Sequence, residues 1–283
     1  MPWPDGPAVQ VAWPEARTTP YVFASPHSGR DYPDSFLESC LPPLSVLRRS
    51  EDAYVDRLVG VAPRYGAVFM AAQFPRVYVD PSRAPDELDR SMVKGAPSGA
   101  IGAPTARAAA GLGVVSRLAA DGRPLYDGAL DYDAVHKRIE ACYAPYHQRL
   151  RAEIAGCRAL FGEAIIIDCH SMPSASARGA DIVLGDRYGA SCSRALVARA
   201  EAHFRDLGFA VVRNRPYAGG YTTEHYGRPA SGVQALQVEI NRGLYLDELA
   251  VAPSRGFSPL QRTLEEWIAR MSADAGGVSL AAE

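Results

Sequence analysis

Four polar segments, each carried by an apolar run that reads as a strand, hold the residues that could do chemistry. They are Ser25-Pro26-His27-Ser28-Gly29, Asp80-Pro81-Ser82-Arg83, Asp168-Cys169-His170-Ser171-Met172 and Gln237-Val238-Glu239-Ile240-Asn241-Arg242. Two imidazoles, a guanidinium and a carboxylate are the groups with which a metal hydrolase holds its ion, moves a proton and steadies negative charge. A polar group at the end of an apolar strand lies at the carboxyl edge of a sheet, where α/β folds build their sites. His27, His170 and Glu239 all have that position.

One such histidine alone reads as a hydrogen-bonded structural residue; two, each followed by serine, point to a ligand pair. Catalytic zinc usually takes three protein ligands, the third often a carboxylate. Glu51 and Asp52 are the nearest suppliers. Leu47, Val55, Leu58, Val59 and Ala62 recur at helical spacing around them and predict a helix over 45–62. Glu51 then falls inside the apolar stripe and Asp52 on its edge, so periodicity leaves the two acids equal. Ser50 followed by two acids also reads as an N-cap with an acidic first turn.

The elements that must position these groups follow from the apolar pattern. Strands are predicted at 21–24, 67–70, 76–80, 164–168, 181–184, 209–213 and 234–240, and helices at 132–161, 194–207 and 259–271. Val135, Ile139, Cys142, Tyr146 and Leu150 mark one face of the first of these helices, where His136 and His147 read as packing or surface residues. Strands alternating with helices predict an α/β sheet covered on both faces. The Gly-, Ala- and Pro-rich stretch 90–113 reads as a long irregular excursion. Neither a repeat nor a clean linker is evident, so one domain over 1–283 is expected, with the motif-bearing core at about 20–250.

With 47% hydrophobic and 22% charged residues in 283, the chain can bury a sizeable core, which excludes a disordered or fibrous class. A formal charge of −2 gives no broad basic field, which argues against nucleic acid and anionic membrane as partners. The start MPWPDGPAVQVAWPEART lacks the pattern of a signal peptide, and no run of apolar residues is long enough to span a bilayer, so a cytoplasmic location is expected. Five cysteines without a C-x-x-C pair read as reduced, mostly buried thiols. Cys169 beside His170 is not a nucleophile pair, because adjacent strand residues face opposite ways.

The strings SPHSGRDYP, RRSEDAYVDRL, FPRVYVDPSRAPDELD, IIIDCHSMPS and NRPYAGGYTTEHYGRP followed by ALQVEINRGLY resemble the N-formylglutamate amidohydrolase family, over about Ser25 to Tyr245. That family is similar to the zinc aspartoacylases and carboxypeptidases. The resemblance therefore implies a phosphorylase/hydrolase-like, zinc carboxypeptidase-like fold: a mixed twisted sheet between helices. It implies one Zn²⁺ per chain held by His27, a carboxylate and His170, with Glu239 as general base. In aspartoacylase-like relatives a glutamate ligand follows the first histidine by three residues; here that residue is Arg30. The shared D-x-x-V-D pattern favours Asp52 over Glu51 as its replacement. Other divalent ions also suit such a ligand set.

The activity implied is release of formate and glutamate from N-formyl-L-glutamate, as in histidine breakdown. A small dianionic substrate calls for at least two cationic clamps, best supplied by arginine. Arg83 and Arg242 stand in or beside the matched motifs and are expected to bind substrate, Arg83 also steadying the oxyanion. Arg76 and Arg117 read equally well as surface arginines, with Arg117 kept among the substrate-binding candidates. Thr222, in the Gly-rich turn after Tyr217, could hold the second carboxylate. Ser82 stands where the relatives carry asparagine, which keeps open a different N-acyl amino acid or small peptide as substrate. A metal-free binding protein that has kept the fold is the alternative from another class.

Overall fold

A computed structural model describes residues 6–276, so the ends of the domain expected over 1–283 and the first five residues of the N-terminal stretch lie outside the described residues. The chain falls into two compact units. Of the described residues, one takes in 6–10, Pro26–Ala53 and Ala72–Arg149; the other takes in Val11–Ser25, Tyr54–Ala71 and 150–276.

Among the described residues seven strands form one sheet: β1 Val9–Ala12, β2 Tyr21–Ser25, β3 Val68–Ala72, β4 Ala164–Met172, β5 Ile182–Gly185, β6 Val211–Arg213 and β7 Val233–Asn241, in the order β1-β3-β2-β4-β7-β5-β6. β3, β2, β4 and β7 run parallel, β5 lies antiparallel to β7, and β6 is parallel to β5, so the sheet is mixed as expected. Every residue of β4 is buried, as a parallel strand covered on both faces requires.

Strand alternation divides the groups of the central strands cleanly. Phe23, Ile167, Cys169 and Val238 share one face, which the helices Arg194–Asp206 and Phe257–Gly276 cover. Trp267 ties that layer together: it stacks on Phe204 at 4.2 Å, meets Phe23 edge-on at 6.3 Å, and donates its indole N–H to the Ala200 carbonyl at 3.2 Å. The helix Arg194–Asp206 starts where the Ser193 hydroxyl accepts from the Leu196 N–H, and it buries Leu196, Val197, Ala200 and Phe204 along one stripe. The opposite face carries Asp168 and His170 on β4, beside Gln237 and Glu239 on β7.

Several elements differ from the sequence expectation. The helix predicted over 45–62 is broken: an α-turn at Leu44–Leu47 and a 3₁₀ turn at Arg48–Ser50 give way to irregular backbone, and helix resumes at Val55–Val59. The cause is non-local. The Asp52 N–H donates to the His27 carbonyl at 3.0 Å, the Ser28 hydroxyl donates to the Asp52 carbonyl at 3.2 Å, and Tyr54 takes a left-handed conformation with φ of 63°. Ser50 is consequently not an N-cap, and its hydroxyl has no hydrogen-bond partner among the described residues.

The strand predicted at 76–80 is instead a turn, with the Val79 N–H bonded to the Pro75 carbonyl at 3.3 Å. β4 runs on to Met172, so His170 sits inside the strand, and β6 is shorter than expected, starting at Val211. The long helix is present as Tyr132–Arg138, a π-turn at Ile139–Tyr143 and Ala144–Phe161. The 90–113 excursion has ordered parts of its own. Val93–Lys94 pairs with Leu130–Asp131, Thr105 caps the short helix Ala106–Ala109, and Asp89 accepts from Ser91 and from the Arg117 side chain. Among the described residues no helix is long and apolar enough to cross a membrane.

Candidate metal centre

His27 lies two residues past the end of β2, and its ring is held between two buried carboxylates. Nε2 is 2.7 Å from Asp80 Oδ1, and Nδ1 is 3.2 Å from Asp52 Oδ2. With Nε2–H donated to the nearer Asp80 carboxylate, Nδ1 is the nitrogen left on the Asp52 side, where a cation between the two would be shared by both. A carboxylate backing a histidine in this way sets the tautomer of a metal ligand and raises its basicity.

Asp80 is tied down on every side. Oδ1 also accepts from the Ser82 N–H at 2.8 Å, Oδ2 accepts from Arg76 Nη2 at 2.8 Å, and Arg83 Nε lies 3.9 Å from Oδ2. Burial would raise the Asp80 carboxyl, but His27, Arg76 and Arg83 outweigh it and hold the group well below the usual carboxylate range. Arg76 also reaches towards Asp52, with Nη1 3.7 Å from Oδ1. The long helix secures the turn from the other side: His147 Nε2 donates to the Pro81 carbonyl at 2.9 Å and the Tyr143 hydroxyl to the Arg83 carbonyl at 3.0 Å. Tyr143 belongs to the π-turn, and π-turns recur at functional sites.

On β4, Asp168 and His170 are two residues apart and share a face, with His170 Nε2 3.2 Å from Asp168 Oδ2. Their register partners on β7 are Gln237 and Glu239, both buried, and Gln237 Nε2 donates to Glu239 Oε1 at 2.7 Å. Arg242 follows β7 in a 3₁₀ turn. It is buried and donates through Nε to the Ser171 hydroxyl at 3.0 Å and through Nη2 to the Ser171 carbonyl at 3.4 Å.

His27, Asp52 and His170 are all buried, and each offers a ligand atom within 4.8 Å of the others. Two donors at 2.0–2.1 Å from a tetrahedral zinc stand about 3.3 Å apart, and the His27 Nδ1 to Asp52 Oδ2 separation of 3.2 Å matches that spacing. Imidazole and carboxylate donors in this number fit a divalent ion.

Glu51 is engaged elsewhere, accepting from the Tyr32 hydroxyl at 2.9 Å and from Arg48 Nε at 3.2 Å. Burial raises its carboxyl, with Arg48 and Tyr32 pulling the other way. Arg83 is largely buried and spends Nε on the Leu112 carbonyl at 3.0 Å. Arg117 is committed to Asp89 Oδ2 at 2.7 Å rather than to the Asp52–Asp80 group. Thr222, on the short helix Tyr221–Tyr226, is fully buried, and its hydroxyl has no hydrogen-bond partner among the described residues. Cys169 faces away from His170, and burial pushes its thiol well up.

Sequence reasoning gave no role to Asp80 or Asp168, the carboxylates beside the two histidines, or to Gln237, and it left Arg76 open between a substrate clamp and a surface arginine. Asp168 and Gln237 each precede a flagged residue by two in a strand, so period-two spacing was the signal for both.

The family model described as N-formylglutamate amidohydrolase matches residues 19–246. The chain is 30% identical over 239 residues to the N-formylglutamate deformylase of Pseudomonas aeruginosa, covering 82% of this chain and 84% of that protein. The corresponding figures for the N-formylglutamate deformylase of Pseudomonas putida are 29% over 237 residues, 81% and 82%. The crystal structure of N-formylglutamate amidohydrolase from Ralstonia eutropha superposes with a TM-score of 0.90 at 36% identity, over 95% of this chain and 98% of that one. A gene product of Agrobacterium tumefaciens shares the fold, with a TM-score of 0.66 at 19% identity over 94% of each chain. The chain belongs to the N-formylglutamate amidohydrolase family.

Proposed function

We propose that this chain is a zinc-dependent deformylase of N-formyl-L-glutamate, hydrolysing the formamide C–N bond to formate and L-glutamate. The observation that carries the proposal is the buried His27, Asp52 and His170 cluster in a chain of this family. Those three residues would hold one zinc ion, with Asp80 behind His27 fixing its ring. When bound there, zinc supplies positive charge that acidifies the attacking water and polarises the formyl oxygen.

The chain's own groups do the rest. Glu239 takes the proton from water as it attacks the formyl carbon and returns it to the departing amine nitrogen. Negative charge grows on the formyl oxygen, and the Arg83 guanidinium steadies it in a site where little water competes. Arg242 clamps a substrate carboxylate, with its fork already oriented by Ser171. Arg117, held by Asp89, and Thr222, fully buried, carry less of the substrate binding than the arginines of the matched motifs. On this reading the reaction belongs to histidine degradation in the cytoplasm.

The test is zinc content measured alongside formate release from N-formyl-L-glutamate, with N-formyl-aspartate and N-acetyl-glutamate in parallel. About one zinc per chain and a clear preference for N-formyl-L-glutamate are expected. Zinc without formate release would move the proposal to another N-acyl amino acid, and failure to bind metal after reconstitution would end it. Glu239→Gln is expected to keep its zinc and lose turnover by about 10²–10⁴-fold.

A further inference from the structure

Gln237 and Glu239 lie on the same face of β7, both buried, and the Gln237 amide spans two fixed points. Its Oε1 accepts the Gly220 backbone N–H at 2.7 Å, and its Nε2 donates to Glu239 Oε1 at 2.7 Å. The reverse orientation would set an NH₂ group against the Gly220 N–H and a carbonyl against a carboxylate, so the amide has one workable direction.

The Gly220 N–H is in reach because the neighbouring strand makes room for it. Gly185 on β5 is the register partner of Gln237, and residues 218–219 lie directly over it. A Cβ at position 185 would stand 2.8 Å from both the Ala218 carbonyl carbon and the Gly219 nitrogen, closer than backbone atoms tolerate. The Arg187 N–H holds the Ala218 carbonyl at 2.8 Å, and the Thr223 hydroxyl holds the Gly220 carbonyl at 2.8 Å. Gly219 has φ of 124°, where any other residue would be strained, and a Cβ there would overlap the Thr223 hydroxyl. The 218–220 segment is thus pinned from both ends, with one N–H aimed at Gln237.

We propose that Gln237 is a positioning residue that fixes the Glu239 carboxylate against the 218–220 segment, with Gly185 as the spacer that lets the segment approach. The assignment rests on the reading of Glu239 as the general base. The Gln237 amide holds Oε1 of Glu239 and so sets the plane in which the carboxylate meets its substrate. The terminal torsion of a carboxylate is broad and soft, so loss of the amide hydrogen bond shifts its orientation. Misplacement of a reacting group by about 1 Å costs on the order of 10²-fold in rate.

The experiment uses the full zinc-loaded chain with N-formyl-L-glutamate. Gln237→Leu removes both hydrogen bonds. Gln237→Glu keeps an acceptor for the Gly220 N–H but replaces the neutral amide donor with a second carboxyl that competes with Glu239 for the proton. Both variants are expected to lose about 10–100-fold in kcat with KM within twofold of the parent and zinc content unchanged. Gly185→Ala, which displaces the 218–220 segment without touching position 237, should show the same kcat-selective loss and add little to Gln237→Leu, because the two act through one contact. An unchanged kcat in the Gln237 variants, a loss confined to KM, or fully additive losses with Gly185→Ala would overturn the proposal. Full activity in Glu239→Gln is a separate result, which would overturn the base assignment itself.

Discussion

Replacing Asp80 with asparagine tests the support behind the metal ligand rather than the ligand itself. In the parent, Asp80 Oδ1 accepts from His27 and from the Ser82 N–H, while Oδ2 accepts from Arg76. Asparagine has one acceptor oxygen. If that oxygen takes the Oδ1 place, His27 and Ser82 keep their bonds and an NH₂ group faces the Arg76 guanidinium. The reverse orientation saves the Arg76 bond and breaks the other two, so the first is preferred. The loss is then one charge-assisted hydrogen bond, about 1.5–3 kcal/mol, together with the negative charge that makes His27 more basic. A backing group of this kind typically contributes 10–100-fold in metal affinity, which is about 1.4–2.7 kcal/mol. Zinc affinity is read by chelator competition at buffered free zinc, and folding by thermal melting with and without zinc. The expected outcome is a 10–100-fold weaker zinc Kd for Asp80→Asn and a larger loss for Asp80→Ala, which leaves His27 Nε2 without its acceptor. A zinc Kd for Asp80→Asn within twofold of the parent would refute the reasoning.

Three further outcomes are expected. Arg242→Ala should raise the KM for N-formyl-L-glutamate by about 10–100-fold, and Arg242→Lys should recover only part of it because an ammonium cannot form the bidentate fork; a KM within twofold of the parent would remove Arg242 as a clamp. Asp89 is held below its ordinary value of 3.8: burial opposes ionisation, and the bonds from Ser91 and Arg117 outweigh it. Because the folded value is depressed, its contribution is present above the unfolded value and is lost as pH falls through the folded one. Asp89→Asn should therefore destabilise by about 1 kcal/mol at neutral pH, given the partly exposed Arg117 partner, and the gap in melting temperature should narrow as pH falls below about 4; a gap that widens in acid would contradict the assignment. Trp267→Ala removes the side chain joining Phe23, Phe204 and the Ala200 carbonyl and should cost about 3–5 kcal/mol in denaturant unfolding. A cost below about 1 kcal/mol would mean that the layer closes around the gap.

Much of this molecule was legible along the chain. The apolar run before Asp168, the break after Ala24 and the 3.6-residue spacing over 132–161 each report a local element burying a face, and each element is present. The same pattern brought His27, His170 and Glu239 to notice, because a polar residue that interrupts an apolar strand is visible without its partners. The partners themselves were not visible. The spacing over 45–62 counts apolar residues, and it cannot register that the Asp52 N–H is spent on the His27 carbonyl, which breaks the helix and sets the carboxylate beside the imidazole. Nor does the alternation over 76–80 reveal a turn, since what bends it is Asp80 gathering His27, Ser82 and Arg76 around one carboxylate. Arg76, Gln237 and Gly185 are ordinary residues in sequence and acquire their roles only from contacts with chain far away. Periodicity records which side of an element is dry, whereas the identity of a hydrogen-bond partner is a property of the folded chain, and the tertiary structure decided it.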